Sequence, residues 1–287
     1  MTERIRLTTR KSALARKQTD LAAAWLHERW PGTEISIHPV SSVGDERQNW
    51  SLEKKGGAGL FTSALEQALL AGEADLAVHS AKDLPTTMTA GLVLAGYLPR
   101  ANAADVLILR DGVKAPGLLA TASPRRRAQM KRIFPQAVFR ELRGNVETRL
   151  EKIRMGKADG TIMAAAGLQR LDLWRWPGLS FLPLPVRSSV PAAAQGAIAI
   201  QCRAGEDLPL KGIFCAETAH AVELERTFLA SLGGGCHAAV AAHFVNGRLH
   251  AFTEDHGYRC FPLQAGDGVE TVRALAETLL QEETEEA

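Results

Sequence analysis

The stretch ADLAVHSAKDLP, residues 74–85, begins as an apolar strand and ends in a turn of polar residues. Residues 74–79 have the pattern of a buried strand, and Pro85 stops regular pairing. Similar apolar runs alternate with helical patterns along most of the chain, which predicts an α/β fold with mostly parallel strands. Lys82 and Asp83 therefore stand at the carboxyl end of a strand, where α/β proteins commonly bind ligands.

The predicted elements form two α/β sets and a smaller C-terminal module. The first set has strands at 5–9, 34–40, 74–79 and 92–97 and helices at 12–29 and 60–71, with Ser12 as an N-cap. The second has strands at 106–110, 118–121, 137–141 and 160–164 and helices at 124–133 and 145–155. The proline-rich stretch FLPLPVRSSVP, residues 181–191, interrupts this pattern, and a strand at 197–201 is expected to return to the first sheet. The α+β module has helices at 217–232 and from Val269, with strands at 238–244, 248–253 and 258–263.

The bulk properties predict a soluble cytoplasmic protein. A chain of 287 residues is expected to form two or three domains. It contains no apolar run of about 18 residues that could cross a membrane, and its first residues lack the apolar core of a secretory signal. Its four cysteines are too few for a disulfide framework, so reduced thiols are expected. The spacing of cysteines and histidines matches no metal-site motif, which predicts that no metal is bound.

The net charge of +2 conceals an excess of arginine, with 24 arginines and 10 lysines. Residues 121–154 hold eight arginines and two lysines but only three glutamates, a local net charge of +7. These arginines lie in TASPRRR and LRGNVETRL, at predicted strand-to-helix junctions, which favours an anion site over a solvated basic face. Nucleic acid is a weaker alternative, because aromatic residues do not alternate with the arginines as a base-stacking surface requires.

Asp83 and Cys236 are the candidate reactive residues, although each also has an ordinary interpretation. Asp83 could simply cap its own turn. Cys236 follows three glycines at a helix end, which suits the close approach of a bulky group but equally suits a helix cap followed by a buried thiol. A helix C-terminus disfavours a thiolate, so this context alone does not make Cys236 reactive.

Eight segments in this order and spacing resemble the porphobilinogen deaminase (hydroxymethylbilane synthase) family. They are RLTTRKSALARKQ, KKGGAGLFTSALEQALL, ADLAVHSAKDLP, TASPRRRAQ, LRGNVETRL, AAAGLQRL, PAAAQGAIAIQCR and LERTFLASLGGGC. The resemblance implies three domains, two of them α/β lobes like those of periplasmic binding proteins around a cleft, and a small C-terminal α+β domain. Domain 1 would comprise residues 1–95 and 196–211, domain 2 residues 96–195, and domain 3 residues 212–287.

The resemblance also implies a transferase that joins four porphobilinogen molecules head to tail into hydroxymethylbilane and releases ammonia at each addition. A dipyrromethane cofactor would be bound by a thioether to Cys236, and Asp83 would be catalytic. Porphobilinogen is then the substrate of a monomer that binds neither nucleic acid nor membrane. The implied cofactor-binding residues are Cys236, Ser12, Lys82, Ser123, Arg125, Arg126, Arg143, Gly144 and Arg149, and the substrate-binding residues are Arg10, Gln18, Arg149 and Arg170.

The sequence departs from the family pattern at three alanines. Ala58 replaces a lysine of the glycine-rich segment, and Ala120 and Ala194 stand where glycine is usual. The alternative to the enzyme is a non-enzymatic cytoplasmic binding protein for a small polycarboxylate. A degenerate relative that binds pyrroles without joining them is a further alternative, suggested only by Ala58. The lack of a signal peptide and the GGGC segment count against a binding protein.

Overall fold

A computed structural model describes residues 4–41, 62–207, 210–233 and 239–286 of the chain. The chain divides into two compact units. Of the described residues, unit 1 contains those up to Ala101 together with Gly196–His220, and unit 2 contains Asn102–Gln195 and those from Ala221 onward. The predicted α/β class is confirmed, whereas the division into three domains remains a prediction.

Thirteen strands and seven helices are assigned within the described residues. The strands are β1 Arg4–Arg10, β2 Glu34–Val40, β3 Leu76–Ser80, β4 Leu92–Tyr97, β5 Asp105–Arg110, β6 Leu118–Ala120, β7 Val138–Arg140, β8 Gly160–Ala164, β9 Leu179–Pro183, β10 Ile198–Arg203, β11 Ala241–Val245, β12 Arg248–Thr253 and β13 Gly257–Pro262. The helices are α1 Ala13–Arg29, α2 Ser63–Leu70, α3 Pro124–Ile133, α4 Val146–Arg154, α5 Ala165–Arg170, α6 Ala216–Ser231 and α7 Val269–Glu286. None of these helices is long and apolar enough to span a membrane.

The two five-stranded sheets share one plan. Unit 1 has the order β2-β1-β3-β10-β4, and unit 2 has the order β7-β6-β8-β5-β9. In each, the first three strands run parallel, and the fourth pairs antiparallel with both its neighbours. The predicted return of a late strand to the first sheet is confirmed by β10. The expectation of mostly parallel strands is confirmed, because four of the five strands in each sheet run in one direction and only the fourth strand in the order is reversed.

Helices cover the sheet of unit 1 on both faces. Successive residues of a strand point to opposite faces, so Val78 and Ala77 enter different cores. Val78 packs in the core that contains Leu26 of α1, and Ala77 packs in the core that contains Leu65 of α2. By the same alternation, Ser80 lies on the α1 face of β3 and His79 lies on the α2 face.

The strand β9 is the main element that the sequence pattern did not indicate. It lies within the stretch expected to interrupt the fold, yet it pairs with β5 at the edge of the second sheet. An edge strand tolerates proline because one of its sides needs no ladder hydrogen bonds. The predicted α+β module is present, with α6 and α7 packed on the three-stranded sheet β11-β12-β13 around Phe228, which is fully buried.

Candidate active site

The carboxyl end of β3 carries Asp83 into a small pocket in unit 1. One turn of 3₁₀-helix, Ala81–Asp83, follows the strand directly. The pocket has a volume of about 70 Å³, and we call it the Asp83 pocket. Its lining residues are Arg10, Ser12, Leu14, Ala15, Gln18, Thr62, Val78, His79, Ser80 and Asp83. Four residues implied by the resemblance, Arg10, Ser12, Gln18 and Asp83, are thus brought together.

Parallel pairing of β1 and β3 explains this convergence, because parallel strands end at the same edge of a sheet. Arg10 is the last residue of β1. Ser12 caps α1, as predicted, and its Oγ accepts a hydrogen bond from the backbone N–H of Ala15 at 3.3 Å. The side chains of Gln18 and Ser80 hydrogen-bond each other, with Nε2 to Oγ at 2.9 Å and Oγ to Oε1 at 3.1 Å. The pocket wall is therefore held by contacts between α1 and β3.

Asp83 itself is half-buried, and no described residue hydrogen-bonds or pairs with its carboxylate. A capping aspartate would accept a hydrogen bond from its own turn. The unengaged carboxylate can therefore face a ligand. Lys82 lies in the same turn and is also half-buried.

A buried polar chain on the α2 face of β3 was not predicted. His79 Nε2 lies 2.9 Å from Gln201 Oε1, Gln201 Nε2 donates to Glu66 Oε1 at 3.1 Å, and Thr89 donates to Glu66 Oε2 at 3.0 Å. Burial, assisted by the charge of Arg10, lowers the pKa of His79 to about 4, so the ring is neutral at pH 7. The only sequence signal was a lone histidine inside an apolar strand.

Unit 2 holds a fully buried carboxylate, Asp105, between two predicted ligand-binding arginines. Arg125 Nη1 donates to Asp105 at 2.7 Å, and Arg126 donates through Nε at 3.1 Å and Nη2 at 2.8 Å. Ser189 and Gln195 donate to Asp105 as well, both at 2.9 Å. Burial alone would raise the pKa of Asp105, but the two guanidiniums outweigh it and hold this pKa well below its usual range. We call this set the Asp105 cluster.

The Asp105 cluster limits what Arg125 and Arg126 can offer a ligand. Arg126 uses both of its terminal nitrogens on groups of the protein, including the carbonyl oxygen of Ile162 at 2.9 Å. Arg125 uses only Nη1, which also donates to the carbonyl oxygen of Val190 at 2.6 Å. Its other terminal nitrogen has no partner among the described residues. Ser123 caps α3 beside these arginines, with its Oγ accepting from the N–H of Arg126 at 3.4 Å.

The loop before α4 carries three further predicted residues. Arg143 pairs with Glu141 at 2.7 Å, and Arg149 Nε donates to the carbonyl oxygen of Gly144 at 2.7 Å. Gly144 has a φ of +118°, where a side chain would be strained. A pocket of about 330 Å³ opens beside this loop. It is lined by Ala120, Arg140, Glu141, Leu142, Arg143, Lys152 and Lys157.

Arg170 ends α5, and burial lowers its pKa to about 10, which leaves it charged at neutral pH. Cys236 and Ala58 lie outside the described residues. The described cysteines are free, and burial raises the pKa of Cys202 to about 11. Among the described residues, no group of histidine, cysteine and acidic side chains is arranged to hold a metal.

Comparison with known proteins identifies the family. Residues 5–210 match the family described as porphobilinogen deaminase, dipyromethane cofactor binding domain. The chain belongs to the porphobilinogen deaminase family. A porphobilinogen deaminase of Nostoc sp. is 40% identical over 255 residues, covering 85% of this chain and 78% of the relative. One from Xanthomonas euvesicatoria is 41% identical over 247 residues, covering 83% and 80%.

Membership of the porphobilinogen deaminase family makes the chain a transferase of tetrapyrrole biosynthesis that uses a dipyrromethane cofactor. The alternative of a non-enzymatic binding protein is therefore wrong. Among solved structures, the periplasmic VFT2 domain of Bordetella pertussis BvgS is 15% identical with a TM-score of 0.45, covering 77% of this chain and 92% of that one. The BenM effector binding domain is 13% identical with a TM-score of 0.42, covering 80% and 93%.

Proposed function

We propose that this chain joins four porphobilinogen molecules head to tail into hydroxymethylbilane, with Asp83 as the catalytic group and the dipyrromethane attached through a thioether to Cys236. The observation that carries the proposal is the Asp83 pocket. It combines an unengaged carboxylate with Arg10, Ser12 and Gln18, which come from a separate segment of the chain. In this combination, the Asp83 carboxylate can stabilise a cation that forms on a bound pyrrole, and Arg10 can bind a carboxylate of the same pyrrole.

Asp83 stabilises positive charge on the substrate. Loss of ammonia from the aminomethyl group leaves an azafulvene cation, and a carboxylate beside it lowers the energy of the transition state. Two unit charges 4 Å apart interact by about 4 kcal/mol at an effective dielectric constant near 20, which corresponds to roughly a thousandfold in rate. The same carboxylate can accept hydrogen bonds from pyrrole N–H groups.

The basic residues bind the carboxylates of the pyrroles. Each porphobilinogen carries an acetate and a propionate, so every added unit brings two negative charges that fixed cations must balance. Arginine remains charged and binds a carboxylate through two parallel hydrogen bonds. In unit 1, Arg10 lines the Asp83 pocket and is proposed to bind a substrate carboxylate there. Lys82, Arg143, Arg149 and Arg170 are the other proposed partners.

The dipyrromethane fits the donors present in unit 2. The unengaged terminal nitrogen of Arg125, the Ser123 hydroxyl and the first turn of α3 all favour carboxylates. Arg126 acts indirectly, because its bonds to Asp105 fix the start of α3. When bound, the cofactor supplies the pyrrole carbon to which the first substrate is joined. The attacking carbon belongs to a pyrrole, so the protein needs no nucleophile in each cycle.

The attachment to Cys236 is tested by intact-mass spectrometry. We expect the purified protein to carry an adduct of two linked pyrrole units and the Cys236→Ser variant to lack it. Cys260→Ser is the matched control, since Cys260 is a half-buried thiol of the same C-terminal module, and it should keep the adduct. A folded wild-type protein that shows the unmodified mass, even after incubation with porphobilinogen, would contradict the proposal.

We also propose that the enzyme acts in the cytoplasm as a monomer. The absence of a membrane-spanning helix in the described part of the chain is compatible with this location. Size-exclusion chromatography with light scattering should give the mass of one 31.0 kDa chain plus the cofactor. A mass of twice that value at micromolar concentration would contradict the monomer.

A further inference from the structure

Two polar side chains in the Asp83 pocket lack partners for one of their polar atoms. Thr62 is 1% exposed, and its hydroxyl oxygen is buried without a hydrogen bond. His79 is 5% exposed, and among the described residues only its Nε2 has a partner, Gln201. Both residues line the pocket with Asp83. A buried polar atom is rarely left unpaired, so the Thr62 hydroxyl beside the second ring nitrogen of His79 is suited to a polar ligand.

The buried chain behind His79 fixes which ring nitrogen carries the proton. The Glu66 carboxylate can only accept, so the Gln201 amide nitrogen faces Glu66 and its oxygen faces His79. His79 must then donate through Nε2. Because the ring is neutral, Nδ1 keeps its lone pair and is a hydrogen-bond acceptor. Thr62 adds a hydroxyl that both donates and accepts.

We propose that Thr62 and His79 bind the aminomethyl nitrogen of porphobilinogen and hold it as it leaves as ammonia. This proposal rests on the proposed function and adds two substrate-contacting residues to it. The ammonium group of the substrate donates to His79 Nδ1 and to Thr62 Oγ1. After departure, ammonia still donates to His79, and its lone pair accepts from the Thr62 hydroxyl.

The step is balanced without any other reactant. The carbon–nitrogen bond breaks with both electrons going to nitrogen, so the protonated amine leaves as neutral ammonia. The positive charge stays on the pyrrole as the azafulvene cation, next to Asp83. Asp83 therefore faces the new cation on the pyrrole, whereas the neutral side chains of Thr62 and His79 face the leaving ammonia.

The size and charge of the site favour this assignment. A volume of about 70 Å³ holds groups the size of two or three waters, so an aminomethyl nitrogen fits inside while the pyrrole ring and its carboxylates stay at the opening. Hydrogen bonds between neutral partners are weaker than those to charged groups. Ammonia held by a hydroxyl and a neutral imidazole can therefore leave before each new substrate binds.

Two substitutions remove one partner each. Thr62→Val keeps the shape of the side chain and removes the hydroxyl, which makes no capping hydrogen bond to α2. His79→Gln keeps a donor for Gln201 and removes the Nδ1 acceptor. In holoenzyme whose cofactor mass has been verified, we expect KM for porphobilinogen to rise about 10- to 100-fold, with kcat for ammonia release within about threefold, because these acceptors bind the charged ammonium more strongly than the departing ammonia. Thr161→Val removes a similarly buried hydroxyl in unit 2 and should change KM by less than about twofold.

A binding measurement on the wild-type holoenzyme does not depend on how the variants fold. In protein with ¹⁵N-labelled histidine, methylammonium chloride should shift the His79 Nδ1 resonance, whereas potassium chloride at equal ionic strength should not. If wild-type protein releases ammonia from porphobilinogen but neither substitution raises KM, or Nδ1 does not respond to methylammonium, the ammonia site is wrong and the proposed function stands. If wild-type protein releases no ammonia at all, the proposed function itself fails.

Discussion

Asp83 and Asp105 are two aspartates of one chain in opposite surroundings. Asp105 is fully buried and accepts five hydrogen bonds from four side chains. Asp83 is half-buried, and no described residue engages its carboxylate. A carboxylate already surrounded by donors stabilises structure, whereas one without partners is available to a cation that forms during a reaction. The two residues are of the same type, so the groups around each carboxylate decide that Asp105 has a structural role and Asp83 a catalytic one.

Replacing Asp83 should remove turnover without unfolding the protein. We expect Asp83→Asn to lower kcat about 100- to 1000-fold, because the amide keeps the shape but loses the charge that faces the azafulvene cation. The melting temperature should stay within about 2 °C of wild type, since no described residue depends on the carboxylate. Asp20→Asn, an exposed change on α1, is the control. Near-normal turnover of Asp83→Asn would show that the catalytic assignment is wrong.

At the scale of elements, local pattern predicted most strands and helices. The bounds expected for β2, β4, β8, β12 and α3 match the structure. Strand direction in the fourth position of each sheet could not be read from sequence, because apolar periodicity carries no direction. The prolines in and after β9 led to the prediction of an interruption instead of a strand. Only the pairing with β5 shows that this segment lies at a sheet edge, where proline is tolerated.

In the candidate site too, features set by neighbouring residues could be predicted, whereas contacts between distant parts of the chain could not. Ser12 and the turn of Asp83 follow from neighbouring residues. The Asp105 cluster joins residues 20, 21, 84 and 90 positions apart, so no local pattern could indicate it. The chain from His79 to Glu66 likewise runs through Gln201, 122 positions away from His79. These contacts follow from sheet order, which sequence alone did not supply.

The loop before α4 depends on a glycine at 144. A Cβ there would lie 2.7 Å from Thr148 Cγ2, and the φ of +118° is itself unfavourable for a side chain. We expect Gly144→Ala to lower the free energy of unfolding by about 2–3 kcal/mol and to displace Arg143 and Arg149, which weakens binding of carboxylates. Urea unfolding and the KM for porphobilinogen are the measurements.

Gly112→Ala is the control for this loop. Gly112 has a φ of +84°, but nothing lies within 4 Å of an added Cβ. This variant should lose only about 1 kcal/mol and keep its KM. Equal losses of stability in the two variants would show that the contact with Thr148 is not limiting.

At the scale of the molecule, the Asp105 cluster connects β5, α3 and the segment that leads into β10. Removing one partner of a buried ion pair typically costs about 3–5 kcal/mol. We expect Asp105→Asn to lose stability of this size at pH 7, measured by urea unfolding. Ser180→Ala, which removes an exposed hydrogen bond to Asp111, should lose less than about 1 kcal/mol.

The same carboxylate gives unit 2 a predictable response to acid. The pKa of Asp105 is lower in the folded protein than its ordinary 3.8. The contribution of Asp105 to the free energy of unfolding is therefore complete above pH 3.8 and is lost as the pH falls below that value. The wild-type protein should therefore lose stability between about pH 4 and pH 2 more steeply than Asp105→Asn. Parallel pH profiles for the two proteins would contradict this linkage.

The return of β10 to the first sheet also has a consequence for the order of synthesis. The sheet of unit 2 has all its strands once Pro183 has been made, but β3 and β4 of unit 1 must wait for β10, which ends at Arg203. Domains emerging from a ribosome usually fold from the N-terminus onward. Here the earlier-made half is completed last, and a nascent chain stopped before Ile198 would expose the facing edges of β3 and β4 to chaperones.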